Sequence, residues 1–344
     1  MNIVLTDPVF IKNENRNALD RFFLKYINDE RDLPFIHLCL KITLLVVPTA
    51  VILSIFKDIH WIFYALFLGI NLGVFLGPFV LMLHNTSHRK LFKKEYSFFN
   101  NFIPWFLGLF YGQTPETYFY HHIGMHHSEN NMENDLSSTM KYRRDSLRGF
   151  LHYLFTFYFF GIFQLSYYFK KKNQLKFLYR VVRGEGLFIC LTIALSFYNF
   201  KAALFILILP FIFIRFAMMA GNWAQHAFID HDEPDNLYKS SITCINTTYN
   251  KKCFNDGYHI GHHLKPSMHW TDMPGNFLQN LDKYRKNDVI IFEGLDYFQI
   301  WFLLMIKNYK FLAKRFVSVS ESPRTQQEII DFLKKRTRKF DIQQ

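Results

Sequence analysis

The sequence predicts an all-α integral membrane protein: four transmembrane helices in two hairpins, a cytosolic histidine-rich cap and interfacial helices. Three observations predict it. Half of the 344 residues are hydrophobic and 19% are aromatic, with 41 Phe, a load that suits contact with lipid. Several apolar runs approach or exceed the ~20 residues that a helix needs to cross a bilayer core. The basic residues also collect on one side of those runs, and the formal charge is +12, from 40 Lys and Arg against 28 Asp and Glu. In a soluble protein that excess would suggest nucleic acid. Beside apolar spans it marks cytoplasmic loops facing anionic lipid, or a face that docks an acidic redox partner.

Residues 1–33 are polar and mixed in charge with no signal-peptide pattern, so this segment is expected in the cytosol. Residues 35–56, "FIHLCLKITLLVVPTAVILSIF", form the first span, with Lys41 close enough to its start to snorkel. Residues 59–83 form the second. The "KDIH" turn between them makes the pair a hairpin. Gly69, Gly73 and Gly77 recur every four residues, a spacing that lets helices approach closely in lipid. Residues 102–111, "FIPWFLGLFY", are too short to span and read as interfacial or re-entrant. Residues 150–169 carry basic runs at both ends and abundant Tyr and Phe, and read as lying along the interface. A second hairpin is predicted from spans at 184–199 and 202–221 around "NFK". The apolar run after residue 290 ends in bases and suits an interfacial helix, and 318–344 read as a frayed polar tail. All of this makes one membrane domain, 1–344.

The turns near Lys57 and Lys201 carry few charges, whereas Arg21, Lys25, Arg31, Arg89, Lys90, Lys93, Lys94, Lys141, Arg143, Arg144, Arg148 and Lys170 to Lys172 fall on the opposite side. The positive-inside rule makes that side the cytosol. Four crossings then bring residues after 221 back to it. Cys39, Cys190, Cys244 and Cys253 are scattered, which excludes a disulfide framework and a thiolate metal site.

The 15 histidines are unevenly distributed. His84 and His88 lie in "HNTSH". His122, His126 and His127 form HxxxHH in "HHIGMHH". His226 lies in "GNWAQHAFID", and His259, His262 and His263 form HxxHH in "GYHIGHHLK". Residues three and four apart share a helix face, so each cluster is expected to aim two or three imidazoles at one point. The crossing count brings all four segments to one side of the membrane. Nine imidazoles exceed the capacity of one metal, since a closed zinc site uses about four ligands. They suggest two ions with four or five ligands each. Imidazole suits Fe, Zn, Cu and Ni alike.

This series of boxes resembles the membrane fatty acid desaturase and hydroxylase superfamily, over roughly residues 35–275. "HNTSHRK", "GQTPETY", "HHIGMHH" and "GNWAQHAF" are most similar to fatty acid desaturases. The resemblance implies two non-haem Fe ions held by the nine box histidines, with O2 as co-substrate, and attack on an unactivated C–H bond of a membrane acyl chain. An Asn four residues before the single His can hold metal through water in this superfamily, and Asn222 has that position. The HxxxHH spacing is shared with membrane alkane hydroxylases. A hydroxylase of alkanes, fatty acids or sphingoid chains is therefore the alternative to an acyl-lipid desaturase. A His-rich metal transporter fits less well, because transporters carry their ligands near the bilayer midplane. The sequence has no "HPGG" haem motif and no ferredoxin cysteine set. Electrons are expected from a separate protein of ferredoxin, cytochrome b5 or rubredoxin type. The expected location is a bacterial inner membrane or the endoplasmic reticulum, with the active site on the cytosolic face.

The remaining polar residues have blander expected roles. His37, His60 and His152 read as interfacial, and His121 as supporting a ligand or facing substrate. His231 and His269 are open between orienting a ligand and a structural role. Among Glu129, Glu133, Asp135, Asp232, Asp235 and Asp256, one or two are expected to hydrogen-bond ligand imidazoles. Arg215, late in an apolar span, is expected to reach the headgroups or face the bundle interior. Trp105, Trp223, Trp270 and Trp301 read as interface anchors or tunnel walls.

Overall fold

Among the described residues, four helices are long and apolar enough to cross a membrane: Glu30–Ile55, Trp61–His88, Leu175–Tyr198 and Phe200–Gln225. They appear in a computed structural model that describes residues 3–320, 322 and 324–340. The third span runs nine residues further upstream than the predicted 184–199, because Leu175–Lys176–Phe177 start the helix well before its apolar core. Leu147–Lys171 is a single helix but is not among the four.

Three of the spans contain a wide helical turn, at Ile42–Val46, Asn71–Phe75 and Ala203–Ile208. Each ends two or three residues before a proline, at Pro48, Pro78 and Pro210. Proline has no N–H to give and its ring crowds the carbonyl four residues back, so a local π turn relieves the clash without breaking the span.

By internal contacts the chain forms two compact units. One comprises Ile11–Gly124 and Ile162–Arg215. Its span ends are tied by polar side chains. Asn199 Nδ2 donates to Leu53 O and Ser54 O, both at 3.1 Å, and Tyr64 Oη donates to Leu53 O at 2.8 Å. These groups satisfy carbonyls that a helix C-terminus leaves open. Lys201 Nζ donates to Ile59 O at 2.8 Å. The segment 102–111 is irregular helix packed on the spans. Leu107 and Tyr111 are fully buried, Tyr111 stacks on Phe79 at 4.1 Å, and Phe110 O accepts from Asn71 Nδ2 at 2.9 Å. Irregular backbone is tolerated at membrane depth where protein covers it.

The glycine prediction is corrected for two of its three positions. A Cβ at Gly69 or Gly73 would meet nothing within 4 Å, so neither mediates a close approach. In this unit a Cβ would collide at Gly184, 1.8 Å from Pro115 O, and at Gly112, which has φ +69° and where a Cβ would lie 2.2 Å from the Phe211 backbone.

The other unit comprises Met1–Phe10, Met125–Gly161 and Phe216–Gln344. The all-α expectation needs a small amendment here. Strands β1 (Thr243–Ile245) and β2 (Ile291–Glu293) pair in parallel, with Cys244 opposite Phe292. The run after residue 290 forms two short helices, Tyr297–Met305 and Tyr309–Arg315, with Ile300, Leu304 and Leu312 buried. The expected frayed tail instead holds a helix, Gln326–Arg336. A capping box between Thr325 and Glu328 starts it, and Ile329, Ile330 and Leu333 are buried in the core. Residues 341–344 of that predicted tail lie outside the described residues. At the other end, Asp7 is buried and accepts from Tyr258 Oη at 2.6 Å and Asn246 N at 2.8 Å, which ties the N-terminal segment to the turn before the third histidine box.

Candidate metal centre

The first box keeps its two imidazoles together as predicted, whereas the second box divides its three and His262 parts from His259 and His263. In the unit Ile11–Gly124 and Ile162–Arg215, His84 and His88 lie one turn apart at the end of the second span. His122 joins them. Its ring centroid is 4.6 Å from that of His84, and its Nε2 is 3.1 Å from His88 Nε2. Tyr118, one turn before His122, stacks on its ring at 5.3 Å with 19° between planes.

His126 and His127 gather with other partners, in the unit that holds His226 and the third box. Ring nitrogens of His126, His226 and His263 lie within 4.8 Å of one another, and all three residues are buried. His263 Nε2 is 3.0 Å from His259 Nε2, which is 3.3 Å from His226 Nε2. His127 Nε2 is 3.0 Å from His262 Nε2. The separation of His122 from His126 has a local cause: His122–His126 is a π turn. A turn wider than 3.6 residues rotates a residue four positions on away from the face it would share in an α-helix.

Two of these rings are held by protein groups. Asp135 Oδ2 accepts from His126 Nδ1 at 2.6 Å, and the same carboxylate accepts from Asn131 N and Ser137 N. Ser240 O accepts from His226 Nδ1 at 2.8 Å. Each bond places the proton on Nδ1 and leaves the Nε2 lone pair facing the other imidazoles, the arrangement that orients metal-binding histidines. Burial, reinforced by His126, pushes the His226 pKa down to about 3. Burial and then His259 push His263 well below the ordinary histidine range. These rings are therefore neutral donors at physiological pH. Imidazole nitrogens 3.0–3.3 Å apart can share a proton as an N–H···N hydrogen bond or converge on a cation, and as a donor set they fit an imidazole-preferring metal.

A family model described as fatty acid desaturase matches residues 59–295. The chain belongs to the fatty acid desaturase family. No curated protein and no solved structure matches it. The family match takes in all nine box histidines and implies an oxidoreductase.

Other predicted residues take definite places. Asn222 Nδ2 donates to Ser137 O at 2.9 Å and to Tyr153 Oη at 2.7 Å, so its amide N–H groups serve the protein. Asp256 accepts from Tyr249 Oη at 2.7 Å. His37 Nε2 meets Asp20 Oδ1 at 2.7 Å, His60 caps the helix starting at Trp61, and His152 Nδ1 accepts from Tyr142 Oη at 3.0 Å. His231 stacks on Phe340 at 4.1 Å, and His269 caps the turn Trp270–Asp272. His121 ends the helix Thr117–His121. Trp223 is fully buried and donates to Arg144 O, a core role; Trp105 lies under the Arg183 guanidinium at 5.0 Å. Arg215 faces the interior. It pairs with Glu185 at 3.1 Å, and Thr114 Oγ1 donates to the same carboxylate oxygen at 2.6 Å.

Sequence reasoning missed Glu116. It has φ +66° and accepts from Arg180 at 2.7 Å and Arg183 at 2.6 Å. It stands just before the helix that leads into His122. Its strained backbone is held by two guanidinium groups from the third span. The run "GQTPETY" was the available signal, but nothing in it marks Glu116 as a clamp.

Proposed function

We propose that this protein is an O2-dependent acyl-lipid desaturase whose nine box histidines hold two iron ions. The observation that carries the reading is the gathering of box imidazole nitrogens at 3.0–3.3 Å, with Asp135 and the Ser240 carbonyl fixing the His126 and His226 rings. Bound there, the irons supply oxidising equivalents for the overall change in which an acyl CH2–CH2 pair, O2, two electrons and two protons become a C=C bond and two waters. The chain's own contribution is to hold and orient. Asp135 keeps His126 in one tautomer, Ser240 does so for His226, and Glu116 fixes the backbone that leads to His122. The Asn222 carboxamide, anchored through its N–H groups, offers its oxygen as a water-mediated ligand. On this reading the four spans form two hairpins with both termini and the histidines on the cytosolic side, Leu147–Lys171 lies along the interface, and a separate carrier supplies electrons. Buried Cys39, Cys244 and Cys253 are outside the boxes, which suits oxidative chemistry.

The test is lipid profiling of a host expressing the protein, with and without an iron chelator. Expected is a new monounsaturated acyl chain that disappears on chelation. A product carrying an added hydroxyl would instead identify a hydroxylase. Purified, iron-replete protein should contain about two irons per chain on the ligand count of one ion per four to five imidazoles. One tightly bound zinc and no iron would sink the reading.

A further inference from the structure

A cavity of about 270 Å³ lies within the unit that carries His84, His88 and His122. Leu83, Thr86 and Ser87 line it from the same helix end as His84 and His88. Tyr118, also in its wall, stacks on the His122 ring. No box histidine lines the cavity itself; Tyr118, in the wall and stacked on His122, is the side chain shared between the cavity and this histidine group.

Its lining has two characters. Trp105 and Phe119 give it an apolar side, while Lys90, Arg180 and Gln113 give it cations and an amide. The only carboxylate in the wall, Glu116, is committed to Arg180 and Arg183. Counting Lys90 and Arg180 against Glu116, the charge at this wall is +1. Lys90 makes no ion pair among the described residues, and its ammonium lies 5.4 Å from the centroid of the Phe119 ring. It stands two residues past the end of the second span, where a headgroup would sit while its chain enters the hydrocarbon. A half-apolar cavity with an uncompensated ammonium is the complement of an amphiphile whose polar end is an anion.

We propose that this cavity seats the anionic head group of the acyl substrate, with Lys90 as its charge partner. The inference rests on the acyl-lipid reading above and narrows it: the substrate carries a phosphate or carboxylate beside its chain, and a bare alkane is a poor ligand. Arg180 is locked by Glu116 and shapes the wall; Lys90 supplies the free charge.

The experiment is a binding titration of purified full-length protein in neutral detergent with dodecyl phosphate, dodecanoate, dodecanol and inorganic phosphate. Dodecyl phosphate or dodecanoate should bind at least about tenfold more tightly than dodecanol, the scale of one charge-assisted hydrogen bond. Inorganic phosphate should bind more weakly than dodecyl phosphate, and equal binding would mark a free-anion site and overturn the substrate assignment. Lys90→Gln should erase the anion preference, and Lys90→Arg should keep it. Unchanged preference in Lys90→Gln, with metal content intact, would overturn the proposal. Binding is read without turnover, so its outcome separates from that of the desaturase reading. Host lipids that become unsaturated with no anion preference in the titration would defeat only the head-group assignment.

Discussion

The histidines of the two units have different surroundings. His126, His226 and His263 are buried, and the first two are fixed by a carboxylate and a carbonyl. In the other unit His84 is buried too, but His88 and His122 are half-buried, and His122 is stacked on Tyr118, a wall residue of the half-apolar cavity. Depth and hydrogen bonding suit donors whose task is to hold an ion in one geometry. A neighbouring cavity suits donors past which a substrate must approach.

The largest effect should come from deleting one ligand in each unit. His84→Ala and His126→Ala should each reduce product to background and lower iron per chain, while both proteins still insert. Losses of supporting groups around metals cost about 10–100-fold, and direct ligand losses are larger. The measurement is unsaturated lipid and iron per unit of membrane-inserted protein. Near-normal turnover in either variant would show that its unit's histidines are not part of the centre.

Asp135→Asn sharpens the contrast by leaving every ligand in place. The neutral amide weakens the bond that fixes His126 and disturbs the bonds from Asn131 N and Ser137 N. Activity or iron affinity should fall about 10–100-fold, as for other supporting groups. No change would mean that burial alone orients His126.

These outcomes bear on what the sequence made legible. The ligand candidates were readable because histidines at short spacing, flanked by apolar runs, are a local pattern. The four spans were readable because length and apolarity are local too. How the boxes divide was not readable, since it depends on the π turn at His122–His126, which no proline announces, and on contacts such as His262 with His127, 135 positions apart. Asp135 stood among six acids with nothing to single it out. Ser240 acts through its carbonyl, which every residue has. The strands at Cys244 and Phe292 are three residues each and pair across 48 positions, beyond any periodicity signal. The helix Gln326–Arg336 was hidden because its apolar residues, Ile329, Ile330, Phe332 and Leu333, are only four positions in a charged run.

A third contrast is between a partly buried and a fully buried arginine. Arg215 relies on Glu185, whereas Arg144, fully buried in the other unit, is held by the carbonyls of Met140, Tyr142, Ala227 and Arg336. Glu185→Gln removes the anion and leaves the cation inside, which costs about 3–5 kcal/mol for buried pairs. Glu185→Gln should therefore lower the thermal midpoint in detergent clearly, and Glu185→Gln with Arg215→Met should recover much of the loss. A double variant no better than the single would show that Arg215 contributes mainly through Gly112 O and the Phe211 ring.

The smallest effects should come from histidines outside the centre. His60 Nδ1 accepts from Ile62 N at 3.3 Å, so His60→Ala removes a helix cap worth about 1 kcal/mol. His37 meets Asp20 with its side chain 42% exposed, and surface pairs of this kind contribute about 0–1 kcal/mol. Neither residue belongs to the groups that bring imidazole nitrogens together. His37→Ala and His60→Ala should each keep near-normal product per inserted protein and full iron content, with at most a small drop in thermal midpoint for His60→Ala. The comparison is with His84→Ala, which removes the same side chain from the opposite end of the span that His60 begins. If His60→Ala lost activity as His84→Ala does, removal of any imidazole from this span would be disruptive, and the loss in His84→Ala could no longer be assigned to a missing ligand.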